Sequence, residues 1–192
     1  MPKRRLLVIF AVAGVALAGT FLALLLRSSG DAAQPQLHDG RVTLVAAVKR
    51  KLLPDVAGPM LTPPPSSLRL RALLGKPAFI GVWASWCVPC REEAPTLARL
   101  WREHRSEVQF LGIDVEDTRG DARAFVRRYG LGYPNIFDRK AALATKLGFF
   151  GLPTAYLVDR RGRIAAKLVG KQSEATLRAG LDALVGEPAS SP

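Results

Sequence analysis

Two cysteines, Cys87 and Cys90, are the only ones in the chain, and Val88 and Pro89 separate them. Thiols at this spacing can close a disulfide, bind a metal ion or exchange disulfides with another molecule. A structural disulfide across two residues restricts the unfolded chain very little, because the stabilisation grows with the length of the closed loop. Reaction chemistry therefore explains the pair better than a structural cross-link does.

A buried strand and an amphipathic helix flank the two thiols. The uncharged run AFIGVW, residues 78–83, has the length of a buried strand. Residues 88–105 carry apolar side chains at helical spacing with polar residues opposite, which predicts a helix, and VQFLGIDV from Val108 predicts a second buried strand. Strand, helix and strand form a βαβ unit, and the thiols open its helix.

A position at a helix N-terminus favours a reactive thiol. Free amides and the helix dipole stabilise a thiolate there, and the pKa of the first cysteine in such motifs falls from about 8.5 into the range of roughly 3.5–7.5. We therefore expect Cys87 to be the attacking thiol at an exposed tip, and Cys90, one turn further in, to resolve the mixed disulfide. Pro89 suits the first turn, where its missing N–H is harmless.

The rest of the chain predicts an α/β domain. One helix ends at Gly130, a shorter helix follows, and the last helix begins after Ser173 as its N-cap. Residues 154–159 and 163–170 predict two strands joined by a tight turn at Gly162. We expect a central sheet flanked by helices that begins with parallel strands and ends in an antiparallel pair.

The N-terminal segment has the length of a membrane span. Residues 6–26 carry no charge, follow three basic residues and precede Arg27. A helix of this length reaches roughly 30 Å, the thickness of the hydrocarbon core of a bilayer. We expect residues 1–27 to be an uncleaved, single-pass transmembrane anchor, with a cleaved signal peptide as the alternative. The excess of basic residues before the span places the N-terminus in the cytoplasm and the rest of the chain outside it.

Composition indicates the remaining boundaries. The residues after the span are small and polar, so we expect 28–52 to be a tether with a poorly readable segment, 53–186 to form the domain and 187–192 to be a flexible tail. Five prolines within residues 54–65 exclude a long helix before the first buried strand.

Other conspicuous features have plain interpretations. We expect His38 and His104 to be solvated, and Trp83 and Trp101 to belong to the core. The net charge of +12 comes from basic residues that are dispersed among acids, without a recognised nucleic-acid motif. We therefore expect no nucleic-acid partner.

The segments around the cysteines resemble a known family. FIGVWASWCVPCREEAPTLARL followed by GLPTAYLVDRRGRI is similar to the membrane-anchored, extracytoplasmic thiol:disulfide oxidoreductases of the TlpA, ResA and DsbE/CcmG type. A tryptophan before the first cysteine, a proline five residues after the second, and GLPT before the last two strands form a specific combination. The resemblance implies a thioredoxin-like fold with a central mixed β-sheet. It implies no metal, and no cofactor beyond the redox-active cysteine pair.

The resemblance also implies roles for the site residues. It implies that Cys87 is the nucleophile and Cys90 the resolving thiol. Pro153 would be a cis-proline that faces the disulfide and leaves the preceding backbone free to pair with a substrate strand. Apart from the resemblance, the position of Trp86 beside the nucleophile leads us to expect that this aromatic side chain shields Cys87 and contacts the substrate. Glu93 would tune the thiols, with a solvated carboxylate that stabilises the helix dipole as the alternative.

Three departures leave the branch of the family open. Gly81 stands where thioredoxins carry a buried aspartate, so no carboxylate at that position can help to deprotonate Cys90. Thr154 follows the cis-proline where the DsbE/CcmG branch carries glutamate, which favours the TlpA/ResA side. We also expect the proline-rich segment GPMLTPPPSS, residues 58–67, to replace the hairpin that usually precedes the active-site strand.

The resemblance favours a disulfide reductase. Its implied substrates are protein disulfides, in apocytochrome c or in a copper-site assembly protein, and an integral-membrane thiol carrier of the DsbD/CcdA type would reset the pair. The implied location is the bacterial inner membrane, with the catalytic domain on the periplasmic side. One alternative is a disulfide-donating oxidase, because the direction of exchange depends on the reduction potential. Another is a copper-binding chaperone of the Sco type, which the two-residue gap disfavours.

Overall fold

Strands and helices alternate through the part of the chain that the structure, a computed structural model, describes: residues 37–38, 41–42, 44–62, 66–73 and 75–188. The strands are β1 Leu37–His38, β2 Arg41–Val42, β3 Ala57–Pro59, β4 Ser67–Arg69, β5 Ala78–Trp83, β6 Gln109–Val115, β7 Asn135–Asp138, β8 Thr154–Val158 and β9 Ile164–Val169. The α-helices are α1 Val88–His104, α2 Arg119–Tyr129, α3 Ala142–Lys146 and α4 Glu174–Val185. Two 3₁₀-helices, Ala47–Lys49 and Leu70–Leu73, precede β5.

A five-stranded mixed sheet with the order β7-β6-β5-β8-β9 forms the centre of the domain. Strands β5, β6 and β7 run parallel, whereas β8 pairs antiparallel with both β5 and β9. The predicted sheet, parallel first and antiparallel last, is confirmed. Edge strand β7 is not predicted by the sequence, because its four residues, NIFD, are too few to show a pattern.

Local signals end and begin the helices as predicted. Helix α2 stops at Gly130, which has a φ of 65°, the left-handed conformation that glycine adopts without strain. The side chain of Ser173 accepts a hydrogen bond from the backbone N–H of Thr176 and so caps α4. The turn between β8 and β9 passes through Gly162 at a φ of 74°.

The core consists of two clusters that share the central strands. Phe79 and Trp83 of β5 belong to one cluster, which contains buried apolar residues of α1, α2 and α4. Ile80 and Val82, the alternate residues of the same strand, belong to the other cluster, which contains the buried residues of α3. Because successive residues of a strand point to opposite faces, β5 needs apolar residues at nearly every position, which explains its continuous apolar run.

The proline-rich segment forms a hairpin, so the expectation that it replaces one is wrong. Strands β3 and β4 pair antiparallel, with Gly58 opposite Leu68 and Pro59 opposite Ser67. Proline is tolerated there because the hairpin is a separate two-stranded sheet, in which Pro59 lies at a strand end. The five prolines exclude a helix, but they do not exclude short edge strands.

Residues before the hairpin lie along β9. The backbone N–H of Val45 donates to the carbonyl of Ala165 at 2.8 Å, and that of Ile164 donates to the carbonyl of Lys51 at 2.8 Å. The anchor predicted for residues 1–27 lies outside the described residues. Among the residues that are described, no helix is long and apolar enough to cross a membrane.

Gly112 of β6 provides a test of the packing around Trp83. A Cβ at this position would lie 1.8 Å from Oδ1 of Asn135 and 2.7 Å from Nε1 of Trp83, two atoms that share a hydrogen bond of 3.1 Å. We expect Gly112→Ala to lower the free energy of unfolding by at least about 2 kcal/mol, because both partners must move. Urea denaturation measures this loss.

The matched control is Gly120→Ala in α2, where the nearest atom to a new Cβ is 3.7 Å away. This change should be neutral or stabilising by up to about 1 kcal/mol, because alanine has the higher helix propensity. Equal effects of the two substitutions would contradict the packing argument.

Candidate active site

Both cysteines lie where β5 ends and α1 begins. Cys87 is the N-cap of α1, and its Sγ accepts a hydrogen bond from the backbone N–H of Cys90 at 3.2 Å. Pro89 lies in the first turn of the helix. A disulfide joins the two cysteines, whose Cα atoms are 5.2 Å apart. One sulfur therefore lies at the positive end of the helix dipole, and the second lies one turn along.

Cys87 is buried, so the expectation of an exposed tip is wrong for the residue itself. Its exposed fraction is 4% and that of Cys90 is 3%, whereas the neighbouring Trp86 and Val88 are 52% and 58% exposed. The sulfur of Cys87 is turned inwards, onto the N–H of Cys90 and into the cluster that contains Trp83. Two exposed apolar side chains thus flank a covered disulfide.

Trp86 contacts the loop that follows β6. Its indole N–H donates to the carbonyl of Glu116 at 3.0 Å, and the guanidinium of Arg91 donates to the Trp86 carbonyl at 2.8 Å. These two bonds fix the indole beside Cys87 while about half of its surface remains exposed.

Asp117, in the same loop, contacts the active-site segment, and no sequence motif singles it out. Its Oδ2 accepts a hydrogen bond of 2.6 Å from the backbone N–H of Ser85, two residues before Cys87. The available signal is the run DVED, residues 114–117, at the end of the strand after the cysteine-bearing helix. Carboxyl ends of adjacent parallel strands meet at one edge of a sheet, so these acids had to lie near the thiols.

Glu93 is buried within α1, with an exposed fraction of 6%, so it is not a solvated carboxylate. Burial raises the pKa of its carboxyl to about 7, against two weaker opposing influences. One is the backbone N–H of Gln172, which donates to Oε1 of Glu93 at 2.8 Å, and the other is the positive charge of Lys171. Glu93 is therefore poised to exchange a proton near neutral pH.

A small cavity connects Glu93 with the inner thiol. It has a volume of about 20 Å³, and its lining includes Cys90, Glu93, Gly81 and Tyr133. Glu93 is the only carboxylic acid in this lining. A cavity of this volume has room for one water molecule. The carboxyl in this lining therefore comes from Glu93 of the helix, and Gly81 of the strand contributes none.

Pro153 and Thr154 form another part of the cavity wall. The Leu152–Pro153 peptide bond is cis, and the carbonyl of Pro153 accepts a hydrogen bond from the N–H of Gly170 at 2.8 Å. The hydroxyl of the buried Thr154 donates to the carbonyl of Gly151 at 2.6 Å. The structure therefore brings both residues together with Cys90 and Glu93.

The predicted burial is correct for the two tryptophans but not for His104. Trp83 is buried in the core and Trp101 packs against it in part, as predicted. His104 is buried rather than solvated, because the end of α1 packs on α4, where its Nε2 lies 4.0 Å from a carboxylate oxygen of Asp182. It does not line the cavity beside the cysteines. The side chain of His38 lies outside the described residues.

A mixed sheet flanked by helices, with a dithiol pair at a helix N-terminus beside a cis-proline, defines a thioredoxin-like domain. Residues 51–167 match the model of the AhpC/TSA family, and the chain belongs to that family. The matched residues include the cysteine pair, Glu93 and the cis-proline Pro153.

Named relatives are thiol-disulfide proteins. The chain is similar to the thiol-disulfide oxidoreductase ResA of Bacillus anthracis, with 30% identity over 57% of this chain and 64% of that protein. It is also similar to the thiol:disulfide interchange protein DsbE of Allochromatium vinosum, with 36% identity over 62% of this chain and 66% of that protein. The matches thus span just under two thirds of the length of these two relatives.

A solved structure supports the fold. The secreted thiol-disulfide isomerase of Corynebacterium glutamicum superposes with a TM-score of 0.69 and 28% identity, over 82% of this chain and 100% of that one. The predicted thioredoxin-like fold and the resemblance to the ResA and DsbE type are therefore confirmed.

The buried position of Glu93 predicts a pH-dependent stability. Its pKa rises from 4.5 to about 7 on folding, so the unfolded chain loses the proton first as the pH increases. The oxidised protein should lose roughly 3 kcal/mol of stability from this group between pH 4 and pH 8, at about 1.4 kcal/mol per pKa unit. Glu93→Gln should abolish that loss, which denaturation at several pH values measures.

Glu92→Gln is the matched control for this measurement. Glu92 is the preceding residue of α1, is about half exposed and pairs with Lys171 at 2.6 Å. The stability difference between Glu92→Gln and the wild type should change little with pH. The burial argument would be contradicted if the stability difference between Glu93→Gln and the wild type also changed little with pH.

Proposed function

We propose that the protein is an extracytoplasmic thiol:disulfide oxidoreductase that reduces disulfides in other proteins. The observation that carries the proposal is a Cys87–Cys90 pair at a helix N-terminus whose inner thiol shares a cavity with a buried carboxyl. A structural disulfide needs neither feature, whereas a dithiol that changes its protonation state during reaction gains a stabilised thiolate from the first and a proton acceptor from the second. The names of the relatives support the same class of reaction.

The first step is an attack by the reduced form. The amides at the start of α1, including the N–H of Cys90, stabilise a thiolate on Cys87. This thiolate attacks one sulfur of the substrate disulfide, a new disulfide forms between protein and substrate, and the second substrate sulfur leaves as a thiolate that takes up a proton.

The second step releases the substrate. Cys90 loses its proton and attacks Sγ of Cys87, so that the Cys87–Cys90 disulfide forms and the remaining substrate sulfur leaves as a thiolate that takes up a proton. Two electrons have then passed from the dithiol to the substrate disulfide. The two substrate sulfurs have taken up two protons, and the dithiol has released two, one when the Cys87 thiolate formed and one from Cys90. Glu93 accepts the proton of Cys90, through one water molecule in the shared cavity, because the pKa of its carboxyl lies near 7.

The remaining parts of the proposal concern the surroundings of the enzyme. A membrane-embedded dithiol carrier of the DsbD/CcdA type would return two electrons to the Cys87–Cys90 disulfide. The substrates would be protein disulfides, in apocytochrome c or in a copper-site assembly protein. The predicted anchor at residues 1–27 would hold the domain on the outer face of the bacterial inner membrane, where such substrates occur. The exposed Trp86 and Val88 would contact the substrate chain.

The two-step reaction predicts a covalent intermediate. Cys90→Ala leaves the nucleophile but removes the resolving thiol, so the protein should accumulate disulfide-linked complexes with its substrates. Non-reducing electrophoresis and mass spectrometry detect them, and a reducing agent should dissolve them. Cys87→Ala is the control, because Cys90 lies inside the first turn and lacks the N-cap position that stabilises a thiolate on Cys87, so that alone it should trap far less. Equal trapping by the two variants, or none by either, would overturn the order of attack.

The direction of electron flow predicts the resting state of the thiols. Acid quenching of living cells, followed by alkylation of free thiols, should find Cys87 and Cys90 mainly reduced, because electrons must be supplied to a reductase in an oxidising compartment. A sample oxidised with diamide before quenching provides the reference. A pair that is mainly oxidised at rest, in cells that reduce their other dithiol proteins normally, would favour the disulfide-donating oxidase.

A further inference from the structure

Asp114 of β6 is a buried carboxyl group without a hydrogen-bond donor. The residue has no exposed surface, and no N–H or O–H group of the described residues donates a hydrogen bond to either of its carboxyl oxygens. In the register of the sheet it lies opposite Trp83 on one side and Phe137 on the other. Buried polar atoms are almost always hydrogen bonded, so this carboxyl needs an explanation.

The neighbouring carboxyl of Asp117 explains how Asp114 can lie buried without a donor. It is buried, and its two oxygens accept hydrogen bonds from backbone groups: Oδ2 from Ser85 at 2.6 Å and Oδ1 from Thr118 at 2.8 Å. Two N–H donors stabilise the ionised form of a carboxyl group. Asp117 is therefore the member of the pair that carries the negative charge, and it still has lone pairs to accept a further bond.

Three charged groups face Asp114. Burial, the largest influence, raises the pKa of Asp114 to about 9. Asp117 raises this pKa further through its charge and a side-chain hydrogen bond, and Asp138 raises it slightly through its charge. The positive charge of Arg119 lowers it. The guanidinium of Arg119 donates to the carbonyl of Met60 at 2.9 Å, so it does not supply the missing donor to Asp114. Asp138 accepts two backbone N–H bonds at the start of α3.

We propose that Asp114 is a neutral carboxylic acid whose O–H donates to the ionised Asp117, and that this pair positions the loop that carries Trp86 and Cys87. The proton on Asp114 makes one of its two oxygens an O–H donor to Asp117 and removes a buried charge, so that only the neutral carbonyl oxygen is left without a partner. Asp117 holds the active-site loop by accepting a hydrogen bond from the N–H of Ser85. The carbonyl of Glu116, the preceding residue, accepts a hydrogen bond from the Trp86 indole. Asp114 and Asp117 are thus positioning residues and do not touch a reacting atom.

Carbon-13 NMR of the side-chain carboxyls tests the protonation state directly. In the oxidised wild-type protein, labelled at aspartate, one carboxyl resonance should keep the protonated chemical shift at pH 7 and titrate at a far higher pH than the others. It should be absent from the spectrum of Asp114→Asn. Ionised shifts for every aspartate of the wild-type protein at pH 7 would overturn the proposal, and that outcome is read without any variant.

Alkylation of the reduced protein tests the positioning role. Asp117→Ala removes the acceptor of Ser85, so we expect the rate of Cys87 alkylation at pH 7 to change at least about fivefold and its pH profile to shift. Asp117→Asn retains an acceptor oxygen and should restore part of the change. Asp114→Asn retains a donor in the place of the carboxylic acid, so its profile should lie closer to wild type than that of Asp114→Ala.

Asp55→Asn is the matched control for the loss of one negative charge. Asp55 is exposed, pairs with Arg69 and Arg71 and precedes the β3–β4 hairpin. A pH profile of Asp117→Ala that coincides with that of Asp55→Asn would overturn the positioning role. The relevance of this role to disulfide exchange rests on the proposed function. Neither the NMR nor the alkylation uses a substrate disulfide, so a failure to trap substrates leaves both results interpretable.

Discussion

The first turn of α1, fixed at the carboxyl end of β5, is the constraint on which the site depends. A strand that is buried on both faces cannot shift, because Phe79 and Ile80 belong to different core clusters. The helix that follows it must therefore begin at one place, with its free amides directed at Cys87. The thiol chemistry follows from that placement, since the same cysteine on a mobile loop would have the pKa of an ordinary thiol.

Two buried carboxyls lie near this turn, and their surroundings give them different tasks. Glu93 lies beside a cavity with room for water, and its pKa near 7 suits proton exchange with Cys90. Asp114 does not line that cavity and has Asp117 as its neighbour, so its proton serves a fixed hydrogen bond. Burial raises both pKa values, but access to water decides which proton takes part in a reaction.

The sequence predicts what local patterns determine. The central strands, the helices with their caps, the final hairpin and the cysteine pair all leave signals within a dozen residues. What it does not predict depends on packing between distant segments. The burial of His104 depends on α4, the placement of Asp117 depends on the neighbouring strand, and the pairing of β3 with β4 depends on residues on either side of the prolines. The burial of Glu93 depends on contact with Gln172, which lies 79 residues further along the chain.

The burial of Cys87 beside Cys90 affects how the Cys87 thiolate is oxidised by peroxide. A cysteine thiolate oxidises stepwise to sulfenic, sulfinic and sulfonic acid, and only the first product returns readily to the thiol. In this fold a sulfenic acid on Cys87 would have the second thiol one helical turn away, with Cα atoms 5.2 Å apart, while only 4% of its own residue surface is exposed. Condensation with Cys90 would release water and form the ordinary disulfide, which a dithiol can reduce again. The geometry that serves exchange would thus also give the nucleophile a route away from irreversible over-oxidation.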